Sequence, residues 1–139
     1  MSLEISQAIV DAILEQSRAE YPDECCGAVL GPAGSGKALR LKPMVNSAHS
    51  PTFYEFDPKD LLALYREVDD SDEEIVVIYH SHTETEAYPS RTDIAYAGEP
   101  GAHYAVSYTH LRAHETGRNL VCRLHVARVV TRNAFKCTY

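Results

Sequence analysis

Two histidines lie at the end of an apolar segment and are spaced to bind one metal ion. Residues 75–79 are rich in β-branched side chains, which favours a buried strand, and His80-Ser81-His82 continues that run. Alternate side chains of a strand share a face, so His80 and His82 should project together, about 6.6 Å apart at the backbone. Two imidazole nitrogens placed in this way can bind one zinc ion at roughly 2.0–2.1 Å. The pair therefore predicts a metal site at the end of this strand.

A serine and an aspartate follow at a spacing that can complete such a site. Ser90 begins the next predicted helix, and Asp93 lies about one turn into it, where its carboxylate can fold back as a third ligand. Three protein ligands leave a fourth position open, as in catalytic zinc sites, where bound water becomes acidic near neutral pH. The same residues also have a structural interpretation, as half-exposed histidines at a strand end and a Ser90-x-x-Asp93 capping box.

Hydrophobic periodicity and turn residues predict the elements that position these side chains. Helical spacing over residues 6–19 predicts an amphipathic helix that ends at Tyr21-Pro22, and Asp57-Pro58 is predicted to begin a second helix. The remaining predicted elements are a strand over 25–30, a glycine-rich turn over 31–36, a return strand over 39–43, an extended segment over 53–56, an acidic loop over 69–74, a strand over 75–79, a short helix from 90 and a strand over 102–108. This order predicts one mixed α/β domain, with a central mixed β-sheet flanked by helices.

Composition and charge narrow the classes of partner. The chain has 139 residues, 45% of them hydrophobic, which suits one globular domain. Its net charge of -7 disfavours nucleic acid and anionic membranes as partners. Residues 1–104 hold seven basic and nineteen acidic side chains, a net -12, whereas residues 105–139 hold six and one, a net +5. No secretory leader or membrane-length apolar run is present, so we expect a cytoplasmic protein.

The four cysteines have no C-x-x-C spacing, which excludes a zinc ribbon and a thioredoxin-like redox motif. Cys25 and Cys26 are adjacent, and on a strand they would point to opposite faces, so they cannot readily share one ligand. We expect reduced, mostly buried thiols at Cys25, Cys26, Cys122 and Cys137. An alternative is that Cys25 or Cys26 lies near the metal.

Three other patterns are predicted to carry no chemistry. Residues 31–37 have P-loop spacing, but Ala38 replaces the hydroxyl residue and a strand pattern follows, so a hairpin turn is expected. His110 and His114 have helical metal spacing without the glutamate of a zincin. His49 and His103 have no partner by spacing and are expected to be surface or core histidines.

The pattern His80-x-His82, seven residues, Ser90, two residues, Asp93 resembles the signature of the JAMM (MPN-plus) metallopeptidase family. Glu24, after the first predicted helix, occupies the position matching the family's glutamate. Residues 51–58, 79–93 and 99–104 are similar to the small bacterial branch, whose members include Mec-type hydrolases that act on ubiquitin-fold sulfur-carrier proteins. The resemblance covers residues 1 to about 104 and includes all five signature positions.

This resemblance implies a JAMM/MPN, cytidine deaminase-like fold and one Zn²⁺ per chain, held by His80, His82 and Asp93. It implies that zinc polarises a water, that Glu24 takes the proton and passes it to the leaving amine, and that Ser90 hydrogen-bonds the oxyanion. For Glu24 alone the residues favour a plainer interpretation, an acidic side chain at the entrance of a strand.

From Val106 onward the chain no longer resembles this family. Residues 106–116 and 119–124 instead resemble translated sequencing-adapter sequence, which implies that the reading frame leaves the natural gene near residue 105. The alternative is a divergent natural tail. We therefore divide the chain into a metallopeptidase domain over 1–104 and an atypical basic segment over 105–139, whose alternating valines and leucines can still form strands.

Three functions are consistent with these residues. The first is a zinc metallo-(iso)peptidase that hydrolyses an amide at the C-terminal tail of a ubiquitin-like or sulfur-carrier protein, with release of cysteine as one outcome. The tail would lie extended beside the metal as an added strand. The second is a catalytically silent MPN-type scaffold that binds a protein partner. The third is a hydrolase of small amides. The sequence does not indicate an oligomeric state.

Overall fold

A mixed six-stranded sheet forms the centre of the molecule. The computed structural model describes residues 3–83, 101–111, 120–131 and 134–137, with side chains for 3–83 and 101–108. Its elements are β1 (Glu4–Ile5), α1 (Gln7–Glu20), β2 (Cys26–Pro32), β3 (Lys37–Ala38), β4 (Arg40–Met44), α2 (Pro58–Asp70), β5 (Glu73–His82), β6 (His103–Leu111), β7 (Leu120–Thr131) and β8 (Ala134–Cys137). Two helices and this sheet confirm the predicted mixed α/β class.

The strand order places the histidine strand inside the sheet. The order is β4-β2-β5-β6-β7-β8, and β1 and β3 form a separate parallel pair. β5 pairs antiparallel with β2 and parallel with β6, while the other neighbours in the large sheet are antiparallel. The register aligns Cys26 with His80, and this alignment brings the start of β2 to the end of β5.

Both helices begin where their capping residues indicate. The Ser6 hydroxyl accepts a hydrogen bond from the Ile9 amide, and the Asp57 carboxylate accepts from the amides of Lys59 and Asp60. These bonds satisfy N–H groups that have no partner within the helix. The first helix ends at Glu20, with Tyr21 as its C-cap, in agreement with the end predicted at Tyr21-Pro22.

The two faces of the sheet carry separate apolar clusters, because successive side chains of a strand alternate between faces. Ile13 of α1 belongs to one cluster, and Leu64 of α2 belongs to the other. The α1-side cluster contains Ile13, Cys25, Val29, Ala38, Val76, Val77, Tyr79 and Ala105. The α2-side cluster contains Cys26, Ala28, Leu30, Met44 and Leu64. The helices therefore cover opposite faces of the sheet.

Some predicted boundaries were wrong. The acidic loop expected over 69–74 is a turn of two residues, because α2 continues to Asp70 and β5 begins at Glu73. The segment over 53–56, for which an extended backbone is expected, contains no helix or turn and makes one bridge, from Phe56 to Asn46. The short pair of β1 and β3 was not predicted, since two-residue strands leave no periodicity to detect. Neither helix in the described ranges has the length and apolar character needed to span a bilayer.

Candidate metal centre

The two predicted histidines converge at the end of β5. They are the last and third-last residues of the strand, and their side chains share the face that carries α2, as period-two alternation predicts. Both are buried, with 1% of His80 and 4% of His82 exposed. The two Nε2 atoms lie 3.1 Å apart, and the rings are inclined at 61° with centroids 4.9 Å apart. The pair thus presents two ring nitrogens to one point.

Glu24, two residues before the first residue of β2, lies beside the two histidines. Its carboxylate and one nitrogen of each histidine all lie within 4.8 Å of one another, and its side chain is buried. Its backbone is held on both sides, because its amide donates to the Ser50 carbonyl at 2.9 Å and its carbonyl accepts from Asn46 Nδ2 at 3.0 Å. The position of Glu24 beside the histidines, which the resemblance implied, is therefore present in the fold.

The two histidines fit a zinc ion, and the Glu24 carboxylate lies beside them. Nitrogen and carboxylate oxygen are both ligand types that zinc accepts, and two nitrogens bound at 2.0–2.1 Å with a tetrahedral angle are about 3.3 Å apart. The observed separation of 3.1 Å between the Nε2 atoms is close to that value. The same separation allows a hydrogen bond between the two neutral rings, in which one Nε2–H donates to the other nitrogen. Metal binding would replace that proton.

Backbone contacts around Ser81 fix the distance between the glutamate segment and the histidine strand. The Ser81 amide donates to the Cys25 carbonyl at 3.0 Å, and the Ser81 hydroxyl accepts from the Cys25 amide at 2.7 Å. Ser81 lies between the two histidines, and Cys25 follows Glu24. These two bonds therefore join the segments that carry all three polar side chains of the site.

The cysteines adjacent to Glu24 face opposite sides of the sheet, as predicted. Cys25 contacts the Ser17 hydroxyl on the α1 side, and Cys26 packs in the α2-side cluster. Both are free and fully buried, and burial raises the pKa of each thiol above its ordinary value. The Cys25 thiol therefore lies on the face opposite the histidine side chains.

Two site residues that the sequence did not indicate come from the loop between β4 and α2. Tyr54 stacks on the His80 ring, and Asn46 binds the Glu24 carbonyl. Their spacing relative to the histidines carries no signal, because the contacts depend on how the loop folds. The three aromatic residues within 53–56 are the one local feature of the sequence that marks this loop.

The remaining predicted positions have different outcomes. Ser90 and Asp93 lie outside the described residues, so their roles stay predictions. His49 is exposed and His103 is buried, as expected of histidines outside a site. His110 lies in β6, so its spacing to His114 does not start from a helix. Residues 33–36 form a turn followed by β3, which confirms a hairpin rather than a P-loop.

An open groove of about 560 Å³ borders Glu24. It runs between the end of α1 and the segment that follows β4, and three of its lining side chains are acidic. The lining residues are Gln16, Glu20, Asp23, Glu24, Pro43, Met44, Val45, Asn46 and His49. The buried glutamate is thus reached from a surface groove along the edge of the sheet.

Comparison with known proteins settles the family. The profile of the prokaryotic homologs of the JAB domain matches residues 6–125. The chain belongs to this family. The match confirms the JAMM/MPN resemblance of the sequence, and it extends beyond residue 104 into the C-terminal segment.

Curated relatives and solved structures agree with this assignment. The chain is 50% identical over 107 residues to the CysO-cysteine peptidase of Mycobacterium tuberculosis, which covers 77% of this chain and 73% of the relative. It is 31% identical over 101 residues to a desampylase of Haloferax volcanii, covering 69% and 73%. A JAB1/MPN domain protein from Archaeoglobus fulgidus shares the fold, with a TM-score of 0.52, 17% identity, and coverage of 88% and 87%.

Proposed function

We propose that this protein is a zinc-dependent (iso)peptidase that hydrolyses an amide bond at the C-terminal tail of a ubiquitin-like or sulfur-carrier protein. Where the tail is joined to cysteine, the products are the free tail and cysteine. The observation that supports this most directly is the gathering of Glu24, His80 and His82 within 4.8 Å in a buried site. The names of the two curated relatives, a CysO-cysteine peptidase and a desampylase, support the class of substrate.

The ligands proposed for zinc are His80, His82 and Asp93. Two of these side chains present their nitrogens to one point, and the third follows from the family signature. When bound, zinc supplies Lewis-acid chemistry, which polarises a carbonyl and makes a coordinated water acidic near neutral pH. Both histidines are almost fully buried, so their side chains have little contact with bulk solvent.

Glu24 is proposed as the proton carrier of the reaction. Its carboxylate accepts a proton from the attacking water as the water oxygen bonds to the amide carbon. It then donates this proton to the nitrogen, and the C–N bond breaks to give an amine and a carboxylic acid, which releases its remaining proton to solvent. Ser90 is proposed to donate a hydrogen bond to the oxyanion of the tetrahedral intermediate, a contact commonly worth about 3 kcal/mol.

The groove beside Glu24 is proposed to hold the extended tail of the substrate. It passes along Pro43, Met44 and Val45, which lie at the end of the edge strand β4, and it leads to the glutamate. An extended peptide in this groove would bring its terminal amide towards Glu24, as a strand added beside a sheet edge.

The test is cleavage of a carrier protein joined through its C-terminus to cysteine, followed by intact-protein mass spectrometry. Zinc-loaded protein should release free carrier and cysteine, and the activity should disappear after chelation and return when zinc is added. His80→Ala should lose both the metal and the activity. A free dipeptide serves as the control substrate and should be cleaved far more slowly.

Two outcomes would contradict the proposal. Binding of the conjugate without cleavage by zinc-loaded protein would favour the silent scaffold. Equal cleavage of the dipeptide and the conjugate would favour a hydrolase of small amides.

A further inference from the structure

Tyr54 covers the His80 imidazole. The two rings are stacked, with centroids 4.4 Å apart and planes inclined by 20°. Tyr54 is half-buried, and its ring also packs against the α2-side cluster and meets Phe56 edge-on at 5.8 Å. An offset stack is a preferred geometry for aromatic rings, so it restrains rotation of the imidazole about its side-chain bond.

Asn46 holds the loop that carries Tyr54. This side chain is 4% exposed and makes four hydrogen bonds to backbone groups, which is the full capacity of an amide. Its Nδ2 donates to the carbonyls of Glu24 and Phe53, and its Oδ1 accepts from the amides of Ala48 and Glu55. The residues on either side of Tyr54 are therefore fixed to one buried side chain.

The same loop contacts the segments of the other two site residues. The Ser50 carbonyl accepts from the Glu24 amide at 2.9 Å, and the Pro51 carbonyl accepts from the hydroxyl of Thr83, next to His82, at 2.8 Å. Loop 46–56 thus borders the whole centre. Tyr54 is the loop residue whose ring stacks on a proposed ligand.

We propose that Tyr54 is a positioning residue for the metal centre. A ring nitrogen binds a metal through a lone pair that lies in the plane of the imidazole, so rotation of the ring moves Nε2 off the ion. The Tyr54 ring holds the His80 plane in the orientation that directs Nε2 towards the Nε2 of His82. The aromatic face of Tyr54 is the part of the side chain that performs this role. The inference rests on the proposed function insofar as that function assigns a metal to His80.

The test compares Tyr54→Phe with Tyr54→Leu, using Zn²⁺ as the probe. Dissociation constants are measured by competition with a chelator at fixed pH, and the thermal midpoint of each metal-free variant is recorded alongside. The phenylalanine variant should bind zinc within about twofold of the unmodified protein, and the leucine variant about tenfold more weakly, as for other groups that orient a metal ligand. Val68→Ala is the matched control, because Val68 packs in the same cluster. It should lower the midpoint without weakening zinc binding.

A second readout needs no metal. The stacked ring should shift the carbon-bound protons of His80 upfield in the NMR spectrum of the metal-free protein. Tyr54→Phe should retain this shift, and Tyr54→Leu should abolish it. Wild-type zinc affinity in Tyr54→Leu, or a loss in Val68→Ala equal to that in Tyr54→Leu, would overturn the inference.

Failure of the inference is distinguishable from failure of the proposed function. If Tyr54→Leu binds zinc normally while the unmodified protein cleaves the conjugate, only the role of Tyr54 is wrong. If Tyr54→Leu binds zinc more weakly but no conjugate is cleaved by any form, the positioning role holds and the proposed reaction is wrong.

Discussion

Glu24, His80 and His82 are polar side chains that are almost fully buried, and Glu24 also borders the open groove. None of the three exposes more than 4% of its surface. A buried carboxylate costs several kcal/mol unless a charge or hydrogen bonds compensate it. A zinc ion on the two histidines would place a positive charge beside the Glu24 carboxylate and offset that cost, which is one physical reason for this combination of residues in a core.

The adjacent thiols should behave as inert core residues. Burial raises the pKa of Cys25 and Cys26, and only the thiolate reacts with alkylating reagents. In folded protein at pH 8, iodoacetamide should leave both unmodified, whereas denaturation in urea should allow complete modification. Peptide mass spectrometry separates these sites from Cys122 and Cys137. Rapid modification of Cys25 before unfolding would contradict the burial described above.

A site residue is easier to predict from the sequence when its partners lie close to it along the chain. His80 and His82 were predictable, because the period of a strand places them together within three residues. Glu24 lies far from them in the chain, so spacing alone could not place it there, and only the family resemblance did. Tyr54 and Asn46 were missed because their contacts arise from an irregular loop. No local pattern encodes such contacts.

At the scale of elements, the pairing of β2 with β5 brings Glu24 close to the two histidines. Gly27 pairs with Tyr79, and a Cβ at Gly27 would overlap the Tyr79 ring. The Tyr79 hydroxyl donates to Gln16 Oε1 at 2.5 Å, and Gln16 Nε2 donates to the Cys26 carbonyl. Because Gly27 has no side chain, the Tyr79 ring can lie across β2, and its hydroxyl can donate to Gln16 of α1. Helix periodicity and the residues at the helix starts predicted the two described helices, α1 and α2. No sequence pattern predicted this fit between β2 and β5.

Gly27→Ala should therefore destabilise the protein. The added methyl group meets a buried ring, and such overpacking typically costs about 1–3 kcal/mol. The measurement is the free energy of unfolding in urea. Gly101→Ala is the matched control, since a Cβ there meets no atom of the described residues within 4 Å, and it should change stability by less than about 0.5 kcal/mol. Equal stability of the two variants would show that Tyr79 does not lie over β2.

At the scale of the whole molecule, residues 1–104 and residues 105–139 carry net charges of opposite sign. The net -12 of residues 1–104 disfavours nucleic acid as a partner and suits a site for a metal cation. Residues 105–139 carry a net +5, yet they supply most of β6 and all of β7 and β8. The sequence led us to propose that residues 105–139 are foreign to the natural chain. The family match, however, continues to residue 125. Apolar alternation is enough for such a segment to complete a sheet.

Truncation measures how much of this segment the core needs. Ala105, Val106 and Ser107 are fully buried in β6, and the Ser107 hydroxyl is hydrogen-bonded to Ser17 of α1 at 2.7 Å. A chain ending at residue 104 loses all three, whereas a chain ending at 111 retains β6. The shorter chain should melt at a lower temperature or without cooperativity, as calorimetry would show. Identical melting of the two chains would mean that β6 contributes nothing to the core.

Glu24→Gln is the decisive variant for the proposed reaction, in which a buried glutamate transfers the proton at a two-histidine centre. Glutamine retains the shape of the side chain but cannot accept the proton, so the variant should fold and bind about one zinc per chain. Intact-protein mass spectrometry of a carrier–cysteine conjugate incubated with this variant should then show no free carrier above the chelated control. Release of carrier at the wild-type rate by zinc-loaded Glu24→Gln would show that Glu24 does not transfer the proton.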